Sequence, residues 1–525
     1  MLNISDTYLS FANIQNLDSP ALDSVVEISA ADQAVYRFGD YVVEEVALPS
    51  NDYAQTGYEF RVKKAGVDLD QTPVVASFTV GQVQQVLRHG DLLVLFRSVQ
   101  NPTTDDAGSA QVTYTSQALV YDLSMPSAPK SVGTVDLPAD LSPYNSFYRY
   151  YCGDMGYYGG YYFSYGQSTA SVSDGIAFLL QNATYAPKTV TLSDGSTTTQ
   201  YNYVYSQNLA FLDLRNPAKP AISEVALTLP GPTSGSVDSA SLVADSMAAT
   251  GFYISYRMLL GSSVDAQTQA TLYQYASYAQ RWERRSGAWH TEDAINIPGS
   301  LTRTWAAANG ERLLLTRDDI YSTKQVDSYW QWVDNISLNL LRAVMVNGKP
   351  GAERLDTQTL SDVSPRSMVY DGDRIYMTTS NSPYYNGYYI NGGVAIPTSV
   401  GSSSGGATTG SSGTGGTGTT DSAPDTSDHL AIMDMSQRKL TFTYDQPTEL
   451  YNLDLMGTQQ DKLFVNVQGD GILVVDVASA TAPKGLSFYR TLGYASGIEF
   501  AGTSAYVPAD YYGTYHLDLS APGNL

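Results

Sequence analysis

The 525-residue chain holds a single cysteine, Cys152. An internal disulfide framework is therefore excluded, and so is any cysteine-rich metal or haem site. Histidine is almost as scarce. His89, His290, His429 and His516 stand far apart with no His-Glu-x-x-His run, so zinc finds no ligand spacing. Basic residues are few, 29 Lys and Arg against 52 Asp and Glu. The resulting net charge of −23 repels a phosphate backbone and an anionic bilayer alike, which argues against nucleic acid or membrane surfaces as partners. No apolar run is long enough to span a bilayer. The opening Met1-Leu-Asn-Ile-Ser-Asp lacks the basic and apolar regions of a leader and falls in the middle of a repeat unit, so a trimmed or mature form is expected.

Catalytic signatures are missing as well. The chain has no Gly-x-Ser-x-Gly elbow, no phosphate loop and no dinucleotide fingerprint. The Ser-x-Asp-x-Gly-x-Thr-Trp boxes of sialidase-like propellers are absent, and 5 Trp are too few for the docking code of quinoprotein propellers. A non-enzymatic role is therefore expected.

What is present is a repeat. Ile472-Leu-Val-Val-Asp476 is followed by a polar turn and Pro483, and the same form returns as Leu119-Val-Tyr-Asp122 with Pro129 and Leu209-Ala-Phe-Leu-Asp213 with Pro220. Leu9-Ser-Phe-Ala-Asn13 with Pro20 substitutes Asn, and Leu430–Asp434 and Tyr515–Asp518 are shorter echoes. Each apolar run is a strand. The Asp or Asn turns the chain by bonding its own backbone, and the Pro stops further pairing. Recurring carboxylates of this kind are turn formers rather than ligands or catalytic acids.

A second element, two strands about a Gly/Asp turn, appears at Gly39-Asp40, Gly90-Asp91, Asn309-Gly310, Asp371-Gly372 and Gly502. Naming its strands A and B, and those of the Asp-to-Pro element C and D, gives a four-stranded meander of the kind that forms a propeller blade. A–B pairs fall near 34–48, 83–98, 148–182, 239–258, 302–317, 366–379, 449–467 and 494–509. The expected fold is all-β: a single β-propeller domain over 1–525, of about eight four-stranded antiparallel blades, or seven if one leftover C-like segment is discounted. Its ring would be closed by N- and C-terminal strands, removing open edges.

The residues Gly471-Ile-Leu-Val-Val-Asp-Val, Thr481-Ala-Pro-Lys-Gly and Gly497-Ile-Glu-Phe-Ala-Gly-Thr-Ser-Ala-Tyr-Val resemble the LVIVP-type repeat propellers of bacterial and archaeal surface proteins. The resemblance is good over 449–520, fair at 83–136 and 208–228, and weak at 240–360. It implies a secreted or cell-surface β-propeller and brings no catalytic residues with it. An extracellular setting is expected on that ground and from the low charge and abundant Tyr, Ser and Thr.

In a meander, A–B and C–D turns share one face, and B–C and D–A connections share the other. The long connections are B–C segments at 99–116, 183–207, 318–335 and 380–428, with a D–A excursion at 137–148, so all of them fall on one face. Residues 398–427 form a Gly/Ser/Thr-rich tract expected to be a flexible loop inserted within one blade. One-sided insertions mark the binding face of a repeat array. Three aromatic clusters accompany them: Tyr157, Tyr158, Tyr161 and Tyr162; Tyr329, Trp330 and Trp332; and Tyr384, Tyr385, Tyr388 and Tyr389. Rigid amphipathic rings among Gly, Ser and Asn suit recognition of a protein or glycan, while some of these rings have an alternative place between blades. These residues are the candidate ligand-binding set.

Acidic residues on the same connections, Asp105, Asp106, Asp154, Asp194, Asp318, Asp319, Asp421 and Asp425, are of the type calcium uses. No Asp-x-Asp-x-Asp-Gly loop arranges them, so no cofactor is expected and calcium is the one candidate metal. Two other readings stay open: a polysaccharide hydrolase or lyase with carboxylates at the central funnel, and a structural subunit of an extracellular assembly.

Overall fold

The computed structural model describes residues 2–138, 169–380 and 428–521, apart from 5–7, 14–20, 28–30, 49–56, 67–68, 70–71, 82, 105–109, 192–196, 233–235, 265–270, 327–328, 361–363, 449, 451, 468–469, 492 and 510–511. Among these residues there is no helix; every element is a strand. The protein is an eight-bladed β-propeller. Blades 1 to 8 begin with A strands at Ala31–Phe38, Val83–His89, Thr169–Val172, Ser236–Ala244, Ser300–Ala306, Ser364–Asp371, Leu453–Gln459 and Glu499–Ala501. Blades 1 to 7 are antiparallel meanders in the order A–B–C–D, and blade 8 has three strands among the described residues. In blade 4 the D strand is split into Ala288–Thr291 and Ile295–Ile297, both paired to the C strand.

Eight hydrophobic clusters make the ring, each shared by two adjacent blades. Phe38, Val43 and Phe60 of blade 1 pack on Val86, Leu93 and Leu95 of blade 2. The series continues through Phe96 with Phe178, Phe211 with Phe252, Leu314 with Tyr253, and Leu338 with Met377. It proceeds with Ile432 against Leu463 and Val474 against Val507. Tyr506 of blade 8 then meets Val35 and Val42 of blade 1. B and C strands are buried on both faces, which is why they read as continuous apolar runs rather than alternating ones. Each large side chain buried in this way contributes about 1.5–3 kcal/mol.

Ring closure differs from the sequence expectation in its means. The N-terminal strands Leu2–Ile4, Tyr8–Asn13 and Ala21–Glu27 form a sheet of their own, and no described strand pair joins them to blade 8. Blades 8 and 1 meet instead by packing and by polar contacts. The Arg37 N–H donates to Glu499 Oε1 at 3.1 Å, Arg37 Nη1 reaches the Phe500 carbonyl at 3.3 Å, and Ser496 Oγ donates to the Gln33 carbonyl at 2.9 Å.

The repeated Asp is a turn former in every described copy. Asp122, Asp213, Asp434, Asp476 and Asp518 each accept the backbone N–H two residues on, at 2.8–3.0 Å. The residue after each Asp is buried, and its N–H bonds the A–B turn of the same blade: Leu123 to the Asp91 carbonyl at 2.8 Å, Val477 to Asp461 at 2.9 Å, Leu519 to Thr503 at 2.7 Å. The two sequence repeats are thus one device that ties both turns of a blade together. Asp122, Asp213 and Asp476 pair with the residue eight positions later, and Asn13 pairs with Ala21 in the same register. The motif proline also shapes the seam between blades. A Cβ on Gly133 of blade 2 would lie 2.2 Å from the Pro217 carbonyl and 2.5 Å from Pro220 of blade 3, so that approach requires glycine.

Candidate functional site: a crown of β-hairpin arms

The B–C segments expected to be long loops are long strands. In blade 2, Leu92–Thr104 pairs with Ala110–Asp122 without a break. In blade 3, Gly175–Thr191 pairs with Thr197–Asp213 in unbroken register. In blade 5, Arg312–Val326 pairs with Tyr329–Val346. Blade 4, where no long connection was expected, has a fourth such arm formed by Gly251–Val264 and Thr271–Arg285, with a register shift between Leu259 and Gly261. The reason is compositional. Stretches such as Thr-Gln-Tyr-Asn-Tyr-Val-Tyr at 199–205 are strand formers even though their polarity imitates a loop.

In blade 3 the D strand reaches only to Ala226, opposite Asn208, and the A strand pairs no further than Phe178. Among the described residues, 182–191 and 197–206 therefore form a ribbon two strands wide that projects about 35 Å at ~3.3 Å per residue. All four arms leave by the B–C end of consecutive blades, 2 through 5, so one half of one face carries them. Blades 7 and 8 join B to C within 468–470 and 509–513.

Polar and aromatic side chains cross the sheets where the arms begin. In blade 2, Arg97 donates to Gln117 Oε1 through Nη2 at 2.9 Å, and Gln117 Nε2 donates to Asp136 at 2.8 Å. In blade 4, Arg257 donates to Asp238 Oδ2 at 2.7 and 3.0 Å and lies 4.3 Å above the ring of Tyr275, which is 39% exposed. Such a pair combines an ionic contact with a cation–π contact, leaving a half-open aromatic surface at the arm's root. Two more exposed tyrosines, Tyr494 and Tyr512, lie on the D–A and B–C connections that flank blade 8 at this end of the disc.

Of the sequence candidates, Tyr329, Trp330 and Trp332 lie at the tip of the blade 5 arm, in register with Val326, Gln325 and Thr323. Tyr157, Tyr158, Tyr161, Tyr162, Tyr384, Tyr385, Tyr388 and Tyr389 lie outside the described residues, as does the tract 398–427. The calcium candidates Asp105, Asp106, Asp154, Asp194, Asp421 and Asp425 lie outside them too, while Asp318 and Asp319 are strand residues of the blade 5 arm. Among the described residues no three His, Cys, Asp or Glu side chains gather as a metal-binding group. Sequence reading missed Asp238, Arg257 and Tyr275, which are far apart in the chain and joined only by strand register.

The innermost strands carry two acids of note. Asp238 is held by Arg257. Glu499 accepts the Arg37 N–H and lies 3.5 Å from Arg88 Nη1, and burial holds its carboxyl above the usual range. His89 Nδ1 and Ser171 Oγ meet at 3.0 Å across blades 2 and 3, and burial lowers the imidazole pKa.

No family model matches the chain, and no curated protein matches it. Among solved structures it is similar to Sqt1 of Saccharomyces cerevisiae, with 8% identity over 93% of this chain and 96% of that one and a TM-score of 0.40. It is also similar to BamB of Moraxella catarrhalis, with 10% identity, a TM-score of 0.35 and coverage of 93% and 96%. Apo AztD of Citrobacter koseri shows 9% identity and a TM-score of 0.34, with 93% of each chain covered.

Proposed function

We propose that the protein is a non-catalytic, exported binding module that engages a protein or glycan surface with the arm-bearing face of its propeller. The carrying observation is the placement, among the described residues, of four extended hairpins on consecutive blades of one face, while most A–B turns on the opposite face are two residues long. A rigid ring is a suitable base for such a surface, because sites held by packed strands keep their geometry. Tyrosine and tryptophan on the arms supply large contact areas with little loss of side-chain freedom. Asp238 and Glu499 on the A strands are each engaged by arginine, which suits a place in a charged contact surface.

The test uses an arm-trimmed variant in which the hairpins of blades 2 to 5 are cut to the length of the blade 7 connection. Blades 7 and 8 form with short connections, so the trimmed blades are expected to fold. Wild-type protein on a glycan array and on immobilised matrix proteins should give specific signals that the trimmed variant loses. Equal signals from both would refute the assignment of this face. Signals abolished by EDTA would assign calcium a part in the contact.

A further inference from the structure

The two edges of each arm are built differently. On the B-strand side, pairing is obstructed in every arm: Pro102 in blade 2, Pro187 and Lys188 in blade 3, the register shift at Leu259 and Gly261 in blade 4, and Asp318, Asp319 and Lys324 in blade 5. Proline removes the donor a new strand would need, a bulge turns the edge away, and charge opposes burial between strands. On the C-strand side the obstructions vanish. Segments 110–116, 197–207 and 271–275 contain no proline, glycine or charged residue, and 329–335 contains only Asp334. An arm guarded on one edge, with no described strand paired along the other, is what pairing on a single side requires.

Charge then selects the occupant. The protein carries −23, so two copies repel wherever their bodies approach. The arm strands of blades 2, 3 and 4 are the exception: 98–104, 110–116, 181–191, 197–207, 260–264 and 271–275 hold one charged residue, Lys188. Along these strands, short of the tips that carry Asp105, Asp106, Asp194 and Asp265, a second copy meets least repulsion. A strand edge is also self-complementary when two copies align antiparallel about a two-fold axis, and it then gains ladder bonds along its whole length. An isolated two-stranded ribbon is marginal in water, so a further strand stabilises the arm itself.

We propose that the C-strand edges of the arms, led by Thr197–Ser206, pair with the same edges of a second copy and join two propellers face to face through a continuous sheet. This rests on reading the arm-bearing face as a binding surface and names its partner as the protein itself.

Sedimentation velocity and light scattering across a concentration series test it with two variants at directly opposed positions. Val204 on the open strand and Thr184 on the guarded strand are register partners. The wild type should sediment as a dimer, with association strengthened by added salt as the like charges are screened. Val204→Lys should weaken dimerisation by about tenfold or more, whereas Thr184→Lys should leave it within about twofold. Equal effects of the two substitutions would overturn the edge assignment. A dimer that persists after arm trimming, or a wild type that stays monomeric at its highest soluble concentration, would overturn self-pairing. A monomer whose array signals still depend on the arms would overturn this proposal while leaving the binding-face reading intact, and a third-party strand would then be the occupant.

Discussion

Arg281 Nε lies 2.8 Å from Asp245 Oδ2, and the Asp245 side chain has no exposure to solvent. Arg312 of blade 5 reaches the same oxygen at 3.2 Å, and Arg281 Nη1 also holds Glu292 at 2.7 Å. A buried acid is thus shared by two blades at the short-turn end. Removing Asp245 takes this contact from Arg281 and Arg312 but leaves Arg281 its contacts to Glu283 and Glu292, so the cost is that of a partly compensated buried group, about 1–3 kcal/mol. Asp245→Leu is therefore expected to lower stability by that order in denaturant unfolding. Combining it with Arg281→Met should cost less than the sum of the single changes, and strict additivity would show that the two groups are not coupled.

The close approach of Gly133 to Pro217 and Pro220 gives a second expectation. Gly133→Val places methyl groups where the backbone of blade 3 already lies, so loss of about 1–3 kcal/mol or more is expected. The same change at Gly81, whose Cβ position is open, should be much milder. Similar midpoints for the two variants would mean that blades 2 and 3 separate at little cost.

Replacing Tyr329, Trp330 and Trp332 together with Ser is expected to reduce partner binding while changing stability by no more than about 1 kcal/mol, because their strand positions fall at the end of an arm. Thermal unfolding alongside a binding assay checks this. A large drop in stability would place the three rings in a packed role.

Stability should fall at both ends of the pH scale for identifiable reasons. The Ser124 and Ala478 backbone N–H groups hold the carboxyls of Asp122 and Asp476 below the usual range. A lowered carboxyl contributes stability that is complete above its ordinary value of ~3.9 and is lost as pH falls through the native value. Burial pushes Tyr253 and Tyr444 up to about 12. Their neutral forms stabilise the fold fully below the ordinary tyrosine value of ~10, and that contribution is lost between there and about 12. Urea midpoints across pH should therefore decline at both limits, and Tyr253→Phe should flatten the alkaline decline. An unchanged alkaline limb would count against Tyr253 as its source.

Much of the architecture was legible because propeller blades repeat a local grammar. The Asp-to-Pro run and the Gly/Asp turn each encode a hairpin, and counting A–B pairs gave eight blades. The weak stretch was 240–360, where the A–B turn of blade 4 is longer and adds a buried ion pair between Asp245 and Arg281, and the D strand of blade 4 is split. The arms of blades 2, 3 and 5 were placed on the correct face but read as loops, and that of blade 4 was not seen, since Thr, Gln, Asn and Ser obscure strand periodicity when neither face is apolar. The cluster of Asp238, Arg257 and Tyr275 was invisible because strand register, and not spacing in the chain, brings it together.

The contacts between blades 8 and 1 join residues as far apart as Arg37 and Glu499, 462 positions along the chain. Every other boundary joins blades that are neighbours in sequence, so those contacts can form as each blade is completed. The last boundary must wait for the whole circle, and the entropy of closing so long a loop is charged to it alone. Among the described residues it is also the boundary with the smallest buried cluster, centred on Val35, Val42, Leu69 and Tyr506. The circle is therefore a chain with a clasp, in which the last contact to form in folding is also the first to yield when the molecule is strained.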